Sequence, residues 1–224
     1  MNLANLMTLE KYYNYDISKR SLKYRLYYPK GNKIKRIVVF LHGAGERGSD
    51  GLKHILKNVD IIKDIINHPN YGLNSIIIAP QAPLRLRWVT NSSYKFNLLI
   101  EDFLINGINK LYEENQIQIH LIGISMGAIA INKYVNKYPG FFKSIISICG
   151  TIDLKNLDDL KKTPGWYFHS LDDSVVSPLS YIKASEILKR KAPSIKFTFY
   201  EDANHASWER AYLEEGLIDW LFKY

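Results

Sequence analysis

Continuous apolar runs of four to six residues alternate along the chain with segments whose apolar residues recur at helical spacing. One early segment, Tyr24 to Tyr28, alternates apolar and polar residues and stops at Pro29, which predicts an antiparallel strand. The continuous runs predict buried strands at Arg36 to Leu41, Ser75 to Ala79, Gln118 to Ile122, Ser144 to Cys149, Trp166 to His169 and Ile195 to Tyr200.

Amphipathic segments separate these strands and predict helices. They cover Leu52 to Ile66, Phe96 to Leu111, Met126 to Tyr138, Tyr181 to Arg190 and Trp208 to Phe222. Buried strands joined by helical crossovers favour a mostly parallel sheet with helices on both faces. We expect one α/β domain over residues 1–224, in which residues 1–20 form an N-terminal extension or a first edge strand. Ligands bind such sheets at the loops that follow the strands.

Composition narrows the class of protein only a little. The chain has 224 residues, is 46% hydrophobic and carries a net charge of +8. Its lysines are spread along the sequence without a basic run interleaved with aromatic residues, which predicts a solvated surface and no nucleic-acid site. The single cysteine, Cys149, excludes an intramolecular disulfide and fits a reducing compartment. Without a signal-like N-terminus or a bilayer-length apolar run, we expect a cytoplasmic protein with no membrane span.

Gly123-Ile124-Ser125-Met126-Gly127 lies between a predicted strand and a predicted helix. A G-x-S-x-G in this position is the context of a nucleophile elbow, where the serine stands on a tight turn at a helix N-terminus. The glycines leave room for the backbone on either side of the serine. The pattern therefore predicts Ser125 as a nucleophile and the N–H of Met126 as a donor to a developing oxyanion.

Three other loops after strands carry candidate chemistry. His42 to Gly48 is rich in glycine and can turn backbone N–H groups outward. His169 to Pro178 contains the pair Asp172 and Asp173, and Tyr200 to Trp208 contains His205. Ser125, an aspartate and His205 follow one another in the order of a Ser…Asp…His triad.

Six histidines compete for the role of general base. His42 is expected to brace the glycine-rich loop, His54 and His68 belong to a predicted surface helix, and His120 has the position of a core residue. His169 at a strand end is the second choice. His205 follows the last predicted strand, the place where the triad histidine is expected, so it is the preferred base.

These residues together resemble the small serine esterases of the α/β-hydrolase superfamily, with the phospholipase/carboxylesterase group, acyl-protein thioesterases included, and the feruloyl-esterase and polyhydroxybutyrate-depolymerase-like enzymes as the nearest branches. The resemblance covers roughly residues 20–224. It is carried by Leu41 to Gly48, Pro80-Gln81-Ala82-Pro83 with Trp88, Gly123 to Gly127, Asn204 to Tyr212 and Asp219-Trp220-Leu221.

The resemblance implies an α/β-hydrolase fold without a large lid, and it assigns roles that the spacing leaves open. Its H-G-x-x-D-x-V-V-P segment selects Asp173 over Asp172 as the triad aspartate. It implies Ala44 as the oxyanion donor that accompanies Met126. The residues it implies at the substrate are Trp88, Trp208, His42 and Gly43. Ser170 and Asn204 stand where the family has glycine, so both positions are expected to need a positive φ.

The expected function is a serine carboxylesterase that forms an acyl-enzyme and uses no metal or cofactor. Its partner would be a small ester or thioester, with short-chain carboxylic esters as the first guess. Acylated protein, phenolic-acid esters and lysophospholipids stay open, as do the oligomeric state and the roles of Glu46 and Arg47. The alternatives are a small serine peptidase of the prolyl-oligopeptidase type, a non-catalytic binding protein of the same fold, and a basic binder of RNA or membrane surfaces.

Overall fold

The computed structural model describes residues 2–30, 33–89, 94–108, 117–189 and 191–224. Two compact units make up the chain, Met1–Gln118 and Ile119–Tyr224, and each is described by itself. None of the described helices combines the length and the apolar character that crossing a membrane requires. The expectation of one domain over residues 1–224 stays a prediction.

The strands of the first unit lie in the order β1-β2-β4-β3. They are β1 (Thr8–Tyr12), β2 (Leu22–Tyr27), β3 (Arg36–Leu41) and β4 (Ser75–Pro80). β2 pairs antiparallel with β1 and with β4, as its alternating pattern predicted, whereas β3 and β4 run parallel. Every residue of β3 and β4 is buried, which explains their continuous apolar sequences.

The direction of these strands brings three loops of the first unit to one edge of its sheet. β3 and β4 both end there, so the segments that begin at His42 and at Gln81 start at this edge. β2 runs the opposite way and begins there, with Tyr24 opposite Pro80, so the turn before Leu22 lies at the same edge. This is the edge at which parallel sheets bind ligands.

The helices of the first unit differ in part from the prediction. They are α1 (Leu3–Leu6), α2 (Asp60–Asn67) and α3 (Tyr94–Asp102), which continues as a π-helical turn over Phe103–Gly107. The single helix predicted for Leu52 to Ile66 is wrong: a short 3₁₀ helix at Lys53–Ile55 precedes α2, and Asn58 between them has a φ of 58°. A left-handed residue interrupts an α-helix, and asparagine tolerates that conformation. Leu111, in the predicted second helix, lies outside the described residues.

The second unit has four parallel strands in the order β5-β6-β7-β8. They are β5 (Gln118–Ile124), β6 (Ser144–Ile148), β7 (Gly165–Ser170) and β8 (Ile195–Tyr200). The loops after β5, β7 and β8 begin at one edge and carry the predicted serine, aspartate and histidine. Ser170 stands opposite Tyr200 in the register of β7 and β8, so the last two loops leave the sheet side by side. With helices between parallel strands, the expected α/β class is confirmed.

The helices of the second unit are α4 (Met126–Lys137), α5 (Leu157–Leu160), α6 (Leu179–Leu188), α7 (Trp208–Ala211) and α8 (Leu217–Phe222). The single helix predicted from Trp208 to Phe222 is wrong, because Gly216 adopts a φ of 70° and separates α7 from α8. Glycine enters the left-handed region at no steric cost and commonly separates consecutive helices. Arg190, the predicted end of the preceding helix, lies outside the described residues.

Candidate active site

Ser125 occupies a strained turn between β5 and α4. Its φ is 50° and its ψ is −114°, a conformation that costs a non-glycine residue about 1–3 kcal/mol. A Cβ added to Gly123 would lie 2.7 Å from the backbone of Gly127, so a side chain there would collide with the first turn of α4. The Ser125 N–H donates to the carbonyl of Ile148 at 2.8 Å, which ties the turn to the end of β6.

The structure brings Ser125, His205 and Asp173 into one chain of hydrogen bonds. The Oγ of Ser125 lies 2.9 Å from Nε2 of His205, 80 residues further along the sequence. Nδ1 of His205 lies 2.8 Å from Oδ2 of Asp173. The side chain of Asp173 is fully buried, whereas that of His205 is 22% exposed. The imidazole can therefore exchange a proton with the hydroxyl on one side while the carboxylate holds its other nitrogen on the opposite side.

Asp173 is held as a carboxylate by backbone donors. Its Oδ1 accepts the N–H groups of Val175 at 2.8 Å and Val176 at 2.9 Å. Burial alone raises the pKa of Asp173, but these two N–H groups and His205 together hold it below its ordinary value. The Val175-Val176 segment after the aspartate thus fixes both the orientation and the charge of this side chain.

His169, the second choice for the base, lies on the other side of Asp173. Its side chain is fully buried, and its Nε2 is 2.9 Å from the carbonyl of Val176 and 3.2 Å from Oδ2 of Asp173. A carbonyl only accepts, so Nε2 carries the proton, and Nδ1 is a buried atom without a partner. Burial lowers the pKa of His169 and keeps the ring neutral. Neither nitrogen of His169 forms a hydrogen bond to Ser125.

Sequence analysis missed a clamp between the aspartate loop and the histidine loop, formed by Ser170 and Asp172. Ser170 Oγ donates to Asp172 and accepts the N–H of Ala203 at 2.8 Å. Asp172 Oδ1 accepts the N–H of Asn204 at 2.9 Å. The two residues directly before His205 are therefore held by side chains from the end of β7. The signal in the sequence was a serine where the related family has glycine.

A positive φ was expected at Asn204 and at Ser170, and the structure shows it at Asn204 alone of these two residues. Asn204 has a φ of 52°, which an asparagine tolerates. For Ser170 the expectation is wrong, because this residue ends β7 as a fully buried strand residue. Its hydroxyl is needed for the clamp, and nothing in the strand requires the conformational freedom of glycine.

Two further predicted residues lie beside the hydrogen-bonded chain: Trp208 contacts His205, and Met126 follows Ser125. Trp208, half-buried, meets the ring of His205 edge-on, with ring centroids 5.7 Å apart at 87°. This contact limits how far the imidazole can turn. Met126 is the first residue of α4, and the first N–H groups of a helix have no acceptor within it. The positive end of the helix dipole lies at the same place.

The glycine-rich loop of the first unit is held from behind by His42. This residue is fully buried, its Nε2 accepts the N–H of Ala82 at 3.0 Å, and its Nδ1 faces the carbonyl of Gly43. Burial lowers the pKa of His42 to about 3, so the ring is neutral. The indole N–H of Trp88 donates to the His42 carbonyl at 2.9 Å, and Trp88 has no exposed surface. In this structure Trp88 supports the loop from the core.

Glu46 and Arg47 brace the same loop through separate contacts. Arg47 Nε donates to the carbonyl of Ala44 at 2.8 Å, and the carboxylate of Glu46 accepts Nδ2 of Asn58 at 2.9 Å. Ala44 itself is exposed and begins a 3₁₀ turn, Ala44–Glu46, directly after Gly43. Ala44 is therefore an exposed residue of a loop that side chains of its neighbours hold in place.

Two of the remaining histidines, His120 and His54, are both buried, but the sequence predicted this for His120 only. His120 is a buried residue, as expected, 2.8 Å from the hydroxyl of Ser144. The expectation of a surface position for His54 is wrong: it is fully buried, and its Nε2 lies 2.9 Å from the carbonyl of Ala79. Burial lowers the pKa of His54 to about 4. Within the described ranges, no group of three or more His, Cys, Asp or Glu side chains is placed to hold a metal ion.

Comparison with known proteins finds this architecture in esterases. No protein-family model and no curated protein matches the chain. A thermostable esterase superposes with a TM-score of 0.82 and 27% identity over 99% of this chain, which spans 64% of that protein's length. A ferulic acid esterase gives a TM-score of 0.72 at 14% identity, covering 97% of this chain and 98% of the other. An acylaminoacyl peptidase from Pyrococcus horikoshii gives 0.66 at 16% identity, covering 97% and 41%.

Proposed function

We propose that this chain, which has the fold of the α/β-hydrolases, is a serine carboxylesterase that cleaves small carboxylic esters or thioesters through an acyl-enzyme. The observation that carries the proposal is the hydrogen-bonded chain Ser125–His205–Asp173, with the serine on a strained turn at the start of α4. A hydroxyl is a weak nucleophile at neutral pH and requires an adjacent base. Here the neighbouring imidazole is oriented by a buried carboxylate.

In the proposed acylation step, Ser125 Oγ attacks the carbonyl carbon of the ester while His205 Nε2 takes the hydroxyl proton. Asp173 stabilises the imidazolium that forms and keeps the Nδ1–H tautomer in place. The tetrahedral intermediate then collapses as the bond to the leaving alcohol or thiol breaks. His205 returns its proton to that leaving group, and the acyl group stays on Ser125.

In the proposed deacylation step, a water molecule takes the place of the alcohol. His205 removes a proton from the water as it attacks the acyl carbon, and the second tetrahedral intermediate expels Ser125 Oγ. His205 then protonates the serine, so the enzyme returns to its starting state and releases a carboxylic acid. Four proton transfers through one imidazole, two in each half of the reaction, account for the whole cycle.

The backbone N–H groups of Met126 and Ala44 are the proposed donors to the oxyanion. Two features support Met126: its place at the N-terminus of α4 and the dipole of that helix. Ala44 is supported by its exposed position at the start of the 3₁₀ turn and by the contacts of Arg47 and His42 that hold the loop. A fixed donor aimed at the oxyanion contributes about 2.7–4 kcal/mol to catalysis.

For the substrate, Trp208 is the proposed wall beside the imidazole, and Gly43 and His42 shape the loop that would face the ester. An esterase is favoured over the peptidase alternative because the thermostable esterase is 27% identical to this chain with a TM-score of 0.82, against 16% and 0.66 for the peptidase. This chain also matches only 41% of the peptidase. A cytoplasmic location stays a prediction from the sequence.

The test is hydrolysis of p-nitrophenyl esters from acetate to palmitate by the wild type, Ser125→Ala and a control, Ser49→Ala. Ser49 is an exposed serine, so its variant controls for the loss of a hydroxyl. We expect turnover of short esters by the wild type and the control and only background by Ser125→Ala. A thioester and a p-nitroanilide with the same acyl group separate thioesterase and peptidase activity. Turnover by Ser125→Ala at the wild-type rate would overturn the proposal.

A further inference from the structure

The net positive charge of the chain comes from two stretches that contain no acidic residue, residues 17–45 and 65–100. Together they hold eleven of the 30 lysines and arginines. The rest of the chain has 19 Lys and Arg against 22 Asp and Glu, so it is slightly acidic. The lysines are scattered along the chain as expected, but the acidic residues are not, and the whole net charge of +8 comes from these two stretches.

Both stretches meet at a cleft in the first unit with a volume of about 700 Å³. This volume is within the range of small-molecule sites. All the lining residues come from the two acid-free stretches: Ser18, Lys19, Arg20, Ser21, Pro83, Leu86, Tyr94, Lys95, Phe96 and Leu99. None of these lining residues carries a carboxylate, and three of them are cationic.

The cations of the cleft have no acidic partner. Lys19, Arg20 and Lys95 are exposed, and none of them forms an ion pair with any residue in the described part of the chain. Elsewhere in the chain, exposed lysines such as Lys161 and Lys162 do pair with aspartates. Three unpaired cations around one concave surface raise the local concentration of anions and lower the energy of a bound carboxylate or phosphate.

The cleft also has apolar lining residues that are held in place by packing. Leu99 is buried, and the ring of Phe96 stacks on Trp88 with centroids 6.1 Å apart at 26°. The turn from Pro83 to Leu86 is closed by a backbone hydrogen bond of 2.9 Å. A planar apolar group has surface to pack against here, which a bare inorganic anion would leave unused.

We propose that this cleft binds a small organic anion with a planar apolar body, its carboxylate or phosphate facing Lys19, Arg20 and Lys95 and its apolar part on Phe96 and Leu99. The cleft lies at the sheet edge where β4 ends and β2 begins, which is the ligand-binding edge of this unit. A concave site with one apolar wall fits a compact ligand better than an extended polyanion. The proposal does not depend on the esterase activity.

The test is isothermal titration of the Ser125→Ala protein with 2-naphthoate, 2-naphthyl phosphate, neutral 2-naphthamide and acetate at low salt. We expect one saturable site for naphthoate or naphthyl phosphate, and binding at least tenfold weaker for the amide and for acetate. The two anionic probes distinguish a carboxylate ligand from a phosphate ligand. Use of Ser125→Ala keeps the result separate from turnover, so the failure of one proposal leaves the other standing.

A matched pair of double variants then locates the site. Lys19→Gln with Lys95→Gln should weaken binding at least tenfold, whereas Lys57→Gln with Lys189→Gln, which removes the same charge from exposed lysines outside the two stretches, should change it less than twofold. Equal weakening in both pairs would mean that net charge alone attracts the anion, and the proposal would be wrong. Tight binding of heparin without saturable naphthoate binding would also overturn it and indicate a polyanion surface.

Discussion

The ends of β7 and β8 each present a histidine to the same oxygen of Asp173, yet the two regions differ in everything else. His169, at the end of β7, is enclosed, donates to a backbone carbonyl and has an unpartnered second nitrogen. His205, in the loop after β8, is 22% exposed, and its second nitrogen meets Ser125. One carboxylate therefore has an enclosed histidine on one side and, on the other, the histidine that we propose as the base.

The comparison indicates that the role of each histidine depends on the partner of the ring nitrogen that does not face Asp173. Both rings contact Asp173, so proximity to the carboxylate does not distinguish them. Of the two, His205 is the one whose second nitrogen lies within hydrogen-bond distance of Ser125, the proposed nucleophile. Four substitutions, in order of decreasing effect, test whether this division of roles is correct.

His205→Gln should have the largest effect, a loss of about 10⁶-fold in kcat for p-nitrophenyl acetate, because the serine then has no base. KM should change little, since the side chain acts on the reacting atoms. Steady-state kinetics with an active-site titration of the wild type measure both. A loss of less than a hundredfold would contradict the role of His205 and return His169 to consideration.

Asp173→Asn should lower kcat by about 10⁴-fold. An asparagine oxygen can still accept the N–H groups of Val175 and Val176, so the loop should stay in place. The amide NH₂ would then donate to Nδ1 of His205 and favour the tautomer that carries its proton on Nε2. A protonated Nε2 cannot take the proton of Ser125. Thermal unfolding is the control, because a Tm within a few degrees of the wild type separates a lost tautomer from a lost fold.

Ser170→Ala should lower kcat about tenfold, because the clamp on the histidine loop loses the acceptor for Ala203 and the donor to Asp172. Asp172→Asn keeps an oxygen that can accept the N–H of Asn204 and should come close to wild-type activity. Kinetics of the two variants under one set of conditions check this prediction. Equal losses in both would mean that charge at Asp172 matters more than the hydrogen bonds do.

His169→Gln should have the smallest effect on activity, about threefold, because glutamine can still donate to the carbonyl of Val176. Its clearer effect should be on stability. Burial lowers the pKa of His169 in the folded chain. As the pH falls below about 6.5, the unfolded chain therefore takes up a proton at this histidine before the folded chain does. The contribution of the neutral ring is thus present above that pH and lost below it.

Urea unfolding at pH 7 and pH 5 measures this contribution. The free energy of unfolding should fall less between these two values in His169→Gln than in the wild type, by at most about 1.4 kcal/mol per pH unit. Identical slopes for the two proteins would show that His169 takes up its proton equally in the folded and unfolded chains.

The parts of this site that depend on local spacing could be predicted from the sequence. The strands follow from continuous apolar runs, and Gly123 to Gly127 indicated the turn at Ser125 from the room that a tight backbone needs. What the sequence leaves open depends on contacts between distant residues. The burial of His54 depends on a carbonyl 25 residues away, at Ala79, and no helical periodicity could reveal it.

The same limit explains the other differences. Asn58 and Gly216 each interrupt an apolar pattern that continues on both sides, so periodicity alone predicted longer helices. The clamp of Ser170 and the convergence of the two acid-free stretches both require knowing which loops leave the sheet at the same edge. Strand order supplies that knowledge, and it is a property of the folded chain.

The strained backbone of Ser125 has a consequence for how this protein could change over evolutionary time. A φ of 50° suits glycine and burdens any residue that carries a side chain. A chain with glycine at position 125 should therefore fold more stably than one with alanine, although neither would carry a nucleophile. Selection for stability alone would favour glycine at this position, so we expect a serine here to depend on selection for the proposed chemistry. At position 125, stability is best served by glycine, whereas the proposed reaction requires serine.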